Sequence, residues 1–158
     1  MIFDDNVNYT LLVNNADKEF MSKLGSYPIV DSNLSFDELK NKLEIFPSKR
    51  VVFNETWYNL KNCEKKEIVE LLKKQNVSFV NVTSNVENAL YSDYIIVYNN
   101  NEKVLEGNME AVLRNEKTLK RLGYGVPFVV DLSIQLNYYD ILSDVYYDMD
   151  KLMEALWN

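Results

Sequence analysis

Residues 49–83, KRVVFNETWYNLKNCEKKEIVELLKKQNVSFVNVT, decide the fold. The stretch opens on a short continuous apolar run, Val51-Val52-Phe53, inside 49–54. A strand without polar alternation suits a parallel sheet covered on both faces. Residues 63–75 then carry an amphipathic helical pattern, with Ile68, Leu71 and Leu72 on one face and Lys65, Lys66, Lys73 and Lys74 on the other. Residues 77–83 are β-branched and aromatic and predict a second strand. Strand, helix and strand in this order form a βαβ unit, whose two strands run parallel.

The same alternation continues on both sides. Upstream, 7–13 predicts a strand ending at Asn14-Asn15, and 17–24 a short helix stopped by Gly25. Residues 26–33 contain Pro28 and several turn formers, so a loop is expected there. Ser35 and Glu38 have capping-box spacing and start a helix that runs to about Phe46, before Pro47. Downstream, 85–90 predicts a short helix, 94–107 a β-hairpin turning at Asn99-Asn100-Asn101, and 108–121 a helix. Gly123-Tyr124-Gly125-Val126-Pro127 breaks it, and helices follow at about 127–138 and 149–157. The expected architecture is α/β: a mostly parallel sheet flanked by helices over 1–115, with a small helical C-terminal extension over 116–158 packed as one unit with it.

Composition narrows the chemistry. The chain has 158 residues, 47% of them hydrophobic, too many for a disordered chain. It has no histidine, which removes His bases, triads and metal ligands together. Cys63 stands alone, so neither an intrachain disulfide nor a cysteine zinc cluster can form. The four glycines, at 25, 107, 123 and 125, make no phosphate cradle. No apolar run approaches the roughly 20 residues of a membrane span, and Met1–Asp5 has no leader-like basic and apolar regions. A cytoplasmic location without direct membrane insertion is expected. The net charge of −7 disfavours nucleic acid, and the Lys65/Lys66 and Lys73/Lys74 face reads as solvated. Residues 131–158 carry −5 of that charge among several aromatics, a pattern that fits either a contact surface or a solvated helical end.

From Val51 to Gly107 the chain resembles the second half of an ABC-type ATPase domain. That family's apolar strand ends in Asp-Glu, followed by Pro-Thr-Ser-x-Leu-Asp; here the strand ends Asn54-Glu55, followed by Thr56-Trp57-Tyr58-Asn59-Leu60-Lys61. Glu55 and Leu60 match, while Asn54 replaces the metal-associated Asp and Lys61 the D-loop Asp. Thr83-Ser84-Asn85 stands where the family has its switch histidine. Residues 117–136 and 149–157 are similar to the C-terminal extension of the energy-coupling-factor (cobalt-type) transporter ATPases, including the Gly-x-x-Val-Pro-Phe turn. The first fifty residues fit the family poorly. The helical subdomain is missing, and Tyr9–Leu24 aligns with strand, phosphate loop and helix only with Lys18 at the motif lysine. Leu12 and Asp17 then occupy the glycine positions and Glu19 the hydroxyl position, although an ordinary strand–turn–helix describes the same segment.

The resemblance implies a P-loop-NTPase-like fold whose catalytic set is vestigial: Glu55, Asn54 and Ser84 at the catalytic positions and Lys18 at the phosphate position, with no metal and no cofactor expected. Like charges at about 4 Å repel by about 4 kcal/mol at an effective dielectric near 20, so Asp17 and Glu19 oppose a bound polyanion. The expected function is that of a catalytically inactive, ABC-ATPase-like interaction or regulatory subunit. The alternative is a reduced ATP-binding transporter subunit that holds nucleotide weakly. Expected partners are a second copy, a paralogous full-length transporter ATPase or a membrane transporter component. The contact is expected through Leu119, Leu122, Phe128, Leu132, Leu136, Met149, Leu152, Leu156 and Trp157. Trp57 and Tyr58 sit at a strand end, where they are expected to line a cleft or to cover the vacated nucleotide site.

Overall fold

In the computed structural model, which describes residues 1–158, every strand pairs into one sheet. The elements in chain order are β1 (Tyr9–Leu12), α1 (Lys18–Ser22), β2 (Ile29–Asp31), α2 (Phe36–Leu43), β3 (Arg50–Asn54), α3 (Asn62–Lys74) and β4 (Ser78–Thr83). A 3-10 turn (Val86–Tyr91) leads into β5 (Tyr94–Asn99) and β6 (Glu102–Asn108). Four helices close the chain: α4 (Met109–Leu113), α5 (Glu116–Arg121), α6 (Phe128–Tyr138) and α7 (Met149–Trp157). The sheet order is β2-β3-β4-β1-β5-β6. All neighbours are parallel except β5 and β6, which form the antiparallel hairpin. Asn100 and Asn101 make its turn with φ of 52° and 63°, the left-handed pair that a two-residue hairpin needs.

The period-two alternation of strand side chains divides the core by face. On one face, Tyr9, Leu11, Val52, Val80, Val82 and Ile96 pack under Phe3 and under Phe20 and Leu24 from the α1 region. On the other, Val51, Phe53 and Phe79 pack under Leu39 and Leu43 of α2 and Ile68 and Leu72 of α3. Farther along the sheet, Leu12, Ile95 and Val97 share one cluster with Leu119, Val129, Val130 and Leu152. The C-terminal extension is therefore part of the main core. Fully burying each such side chain contributes about 1.5–3 kcal/mol. Tyr124 also ties the two parts together: its hydroxyl lies 2.7 Å from the Tyr98 carbonyl and 3.1 Å from the Leu12 carbonyl.

Three local expectations are corrected. Residues 29–31, expected in a loop, form the edge strand β2, paired with β3 from Ile29↔Val52 to Asp31↔Asn54. Three residues are too few to show a period, and the extended backbone is set by the neighbouring strand. The single helix expected over 108–121 is two, because Asn115 leaves the helical region at ψ 58°. Lys65 does not face solvent. It is 5% exposed, with Nζ 5.9 Å over the Tyr91 ring, and burial pushes its pKa down while Glu87 opposes that shift. No helix is long and apolar enough to cross a membrane.

Candidate functional site

The chain reverses direction across the sheet at β1. From β1 it crosses to β2 at one edge and returns through β3 and β4, then passes beyond β1 to β5. In open α/β sheets such a switch point is where ligands bind, outside the carboxyl ends of the strands. Here the ends of β1, β3 and β4 frame a cleft of about 440 Å³ lined by Asn14, Asn15, Ala16, Asn54, Glu55 and Ser84. The topology thus brings three of the four sequence-predicted positions, Asn54, Glu55 and Ser84, to one place. Lys18 is not in the lining. It is exposed at the first position of α1.

Each side chain around the cleft can be followed to its partners. Glu55 follows β3 in a left-handed conformation, φ 51°, with its N–H donating to the Val82 carbonyl at 2.9 Å. That backbone turns the carboxylate toward the end of β4. One oxygen accepts from the Ser84 N–H at 2.6 Å and the other from the Thr83 hydroxyl at 3.2 Å. Thr83 Oγ1 in turn accepts from the Asn85 N–H and from Asn88 Nδ2. The Asn54 N–H donates to the Thr56 hydroxyl, which donates to the Val30 carbonyl. Glu55 is thus the acceptor in a hydrogen-bond network that fastens β3 to β4.

The β1–α1 segment does not form a phosphate cradle. Leu12 lies within β1 and is fully buried, with its side chain in the core. Asp17 caps α1, accepting the Phe20 N–H at 2.7 Å. A carboxylate of the protein thus occupies one of the orphan amides that an anion would use at a helix N-terminus. Glu19 pairs with Lys23 at 3.4 Å. The cleft contains no cation, and its one charged residue is a carboxylate. This lining supplies no positive side chain to balance the charge of a polyphosphate.

Trp57 neither lines nor covers the cleft, which corrects its expected role. It is 1% exposed and packs against Phe53, Phe79 and Tyr91 at ring distances of 5.4, 5.3 and 5.9 Å. Tyr58 is exposed and lines a neighbouring recess of about 230 Å³ with Ser32, Asn33, Leu34, Glu55, Thr56 and Asn59. β2, which the sequence reading missed, leads into Ser32–Leu34 of that recess.

The expected contact residues separate by burial. Leu119 and Leu152 are wholly buried core residues, unavailable to a partner. Leu122, Leu132 and Leu136 are half-buried against the same core. Phe128, Met149, Leu156 and Trp157 are exposed. Tyr138, Tyr139, Ile141 and Met153 are exposed as well; the aromatic richness of the segment signals the two tyrosines in the sequence, but not Ile141 or Met153.

No family model matches the sequence. An energy-coupling factor transporter ATP-binding protein, EcfA1 of Geobacillus kaustophilus (strain HTA426), is 28% identical over 112 residues, covering 68% of this chain and 40% of that protein. The EcfA1 of Clostridioides difficile (strain 630) is 29% identical over 89 residues, covering 54% of this chain and 32% of that protein. Among solved structures, cbiO1 from Clostridium perfringens, part of the ABC transporter complex cbiONQ, superposes with a TM-score of 0.51 at 13% identity, covering 78% of this chain and 85% of that chain. The chain is similar to energy-coupling factor transporter ATP-binding proteins, spans well under half the length of these two relatives, and shares the fold of cbiO1.

Proposed function

We propose that this ABC-ATPase-like chain is a pseudo-ATPase, an interaction or regulatory subunit that keeps the scaffold and has lost the chemistry. The carrying observation is the cleft at the ends of β1, β3 and β4, which offers no cation and whose only charged residue, Glu55, is bonded to Ser84 and Thr83. Phosphoryl transfer is catalysed almost entirely by positioning and by electrostatic stabilisation of the phosphates. A neutral and acidic lining supplies neither. A general base also needs a positioned water beside a bound phosphoryl group, and Glu55 is committed to the β4 end instead.

The partner in this reading is a second copy or a paralogous full-length transporter ATPase, and through it a membrane transporter component on the cytoplasmic side. The exposed residues Phe128, Met149, Leu156 and Trp157 support a contact on the extension. Calorimetric titration with ATP and magnesium should show no binding tighter than about 0.1 mM. Turnover by the purified chain would overturn the reading. Lys18, exposed at the start of α1, favours one alternative, a reduced ATP-binding subunit with weak affinity. Binding tighter than that limit, lost on Lys18→Ala, would establish the alternative.

A further inference from the structure

Arg50, the first residue of β3, carries a charge that the protein leaves unpaired. It is 4% exposed and takes part in none of the molecule's ion pairs. Its guanidinium carbon lies 5.4, 5.7 and 5.6 Å from the ring centroids of Phe3, Tyr9 and Tyr27. Nη2 donates to the Asp4 carbonyl at 2.6 Å. Nη1 is buried and has no acceptor in the protein. Cation–π contacts stabilise a guanidinium through its faces, whereas a free N–H at its edge calls for an acceptor, best an anionic one. Burying a charge without a counter-charge is costly.

Arg50 also lines a cleft of about 210 Å³, together with Asp5, Asn6, Tyr27, Lys49, Asn76 and Ser78. Two cations face one carboxylate there, in a chain whose net charge is −7. Ser78 begins β4 as Arg50 begins β3, and the two are in register. This cleft is thus at the amino ends of the parallel strands, the opposite edge from Asn54, Glu55 and Ser84. Its volume is below the roughly 300–1,000 Å³ of sites for drug-sized ligands, which leaves room for a small ion and not for a nucleotide.

We propose that this cleft binds a small oxyanion, with Arg50 Nη1 and Lys49 as the charged donors. Inorganic phosphate and acetate, each titrated into the 158-residue chain against sodium chloride at matched ionic strength, distinguish a tetrahedral from a carboxylate anion. The readouts are the melting temperature and, for phosphate, the phosphorus line width. Saturable stabilisation by either oxyanion is expected; a response to both no larger than that to chloride overturns the proposal. Lys49→Glu should weaken the binding by about tenfold, and Asp5→Asn should tighten it by a few-fold. Lys42→Glu, the same charge change at an exposed position outside the cleft, should leave binding unchanged. Equal losses in Lys49→Glu and Lys42→Glu would mean a general charge effect and overturn the site. Arg50→Lys keeps the charge and removes the free fork, and should abolish saturation; because it also disturbs the aromatic box, its fold is checked by circular dichroism and the exposed-site variants decide the matter.

Discussion

Glu55 shows how one side chain can be recognisable in a sequence while its job is not. The sequence places an acid at the end of an apolar strand, and the structure keeps it there. Its left-handed backbone and its bonds to Ser84 and Thr83 depend on β4 lying alongside β3. A left-handed residue with a Cβ costs about 1–2 kcal/mol, which these bonds help to offset. Glu55→Ala should therefore lower stability by about 1–3 kcal/mol in urea unfolding, because it keeps the strain and removes the bonds. Glu55→Gly should lose less than Glu55→Ala, since glycine relieves the strain. An alanine variant as stable as the wild type would show that the carboxylate does not fasten the strands. Asp17 reads in the sequence as a misfit at a glycine position, whereas its capping bond to Phe20 depends on α1 starting at Lys18.

At the scale of elements, capping chemistry was the most readable feature. The Ser35–Glu38 box forms as its spacing predicts, with bonds of 3.2 and 2.9 Å. A second cap, Asp148 on α7, gives a pH-dependent prediction. The Lys151 N–H holds the Asp148 carboxyl below the usual carboxylate range; Lys66, 3.7 Å away, adds to this while desolvation opposes it. A depressed carboxyl contributes stability that is present above its unfolded pKa, about 3.9, and is lost as pH falls through the folded value. Asp148→Ala should cost about 0.5–2 kcal/mol at neutral pH. The gap between wild-type and variant melting temperatures should close as pH drops below the ordinary aspartate range; a constant gap would mean that the cap works without its charge. β2 and the α4–α5 break were not readable. The first is imposed by pairing with β3, and the second rests on one backbone angle at Asn115.

At the scale of the whole molecule, the extension and the sheet share one core, so deleting residues 116–158 would strip Leu119, Val130 and Leu152 from Leu12, Ile95 and Val97. Association is better tested at the surface. Trp157→Glu should weaken self-association or capture of a paralogous ATPase, measured by light scattering, without changing the melting temperature by more than a degree or two; association equal to the wild type's would move the contact away from α7. Tyr124→Phe should cost about 1–3 kcal/mol, because it leaves the buried Tyr98 and Leu12 carbonyls without their hydroxyl partner.

The α/β class, the parallel core and most helices followed from features that lie within a few residues of one another: periodicity, caps and breakers. The similarity to energy-coupling factor transporter ATP-binding proteins followed from the order of short motifs along the chain. What depended on tertiary structure was every property that joins distant segments. These include the meeting of Asn14, Asn54, Glu55 and Ser84 at one cleft, the burial of Lys65, Leu119 and Leu152 against expectation, and the enclosure of Arg50 by Phe3, Tyr9 and Tyr27. Local patterns report which face of an element is apolar. Which charges end up buried, and beside what, is set by strand order and by packing between elements far apart in the chain.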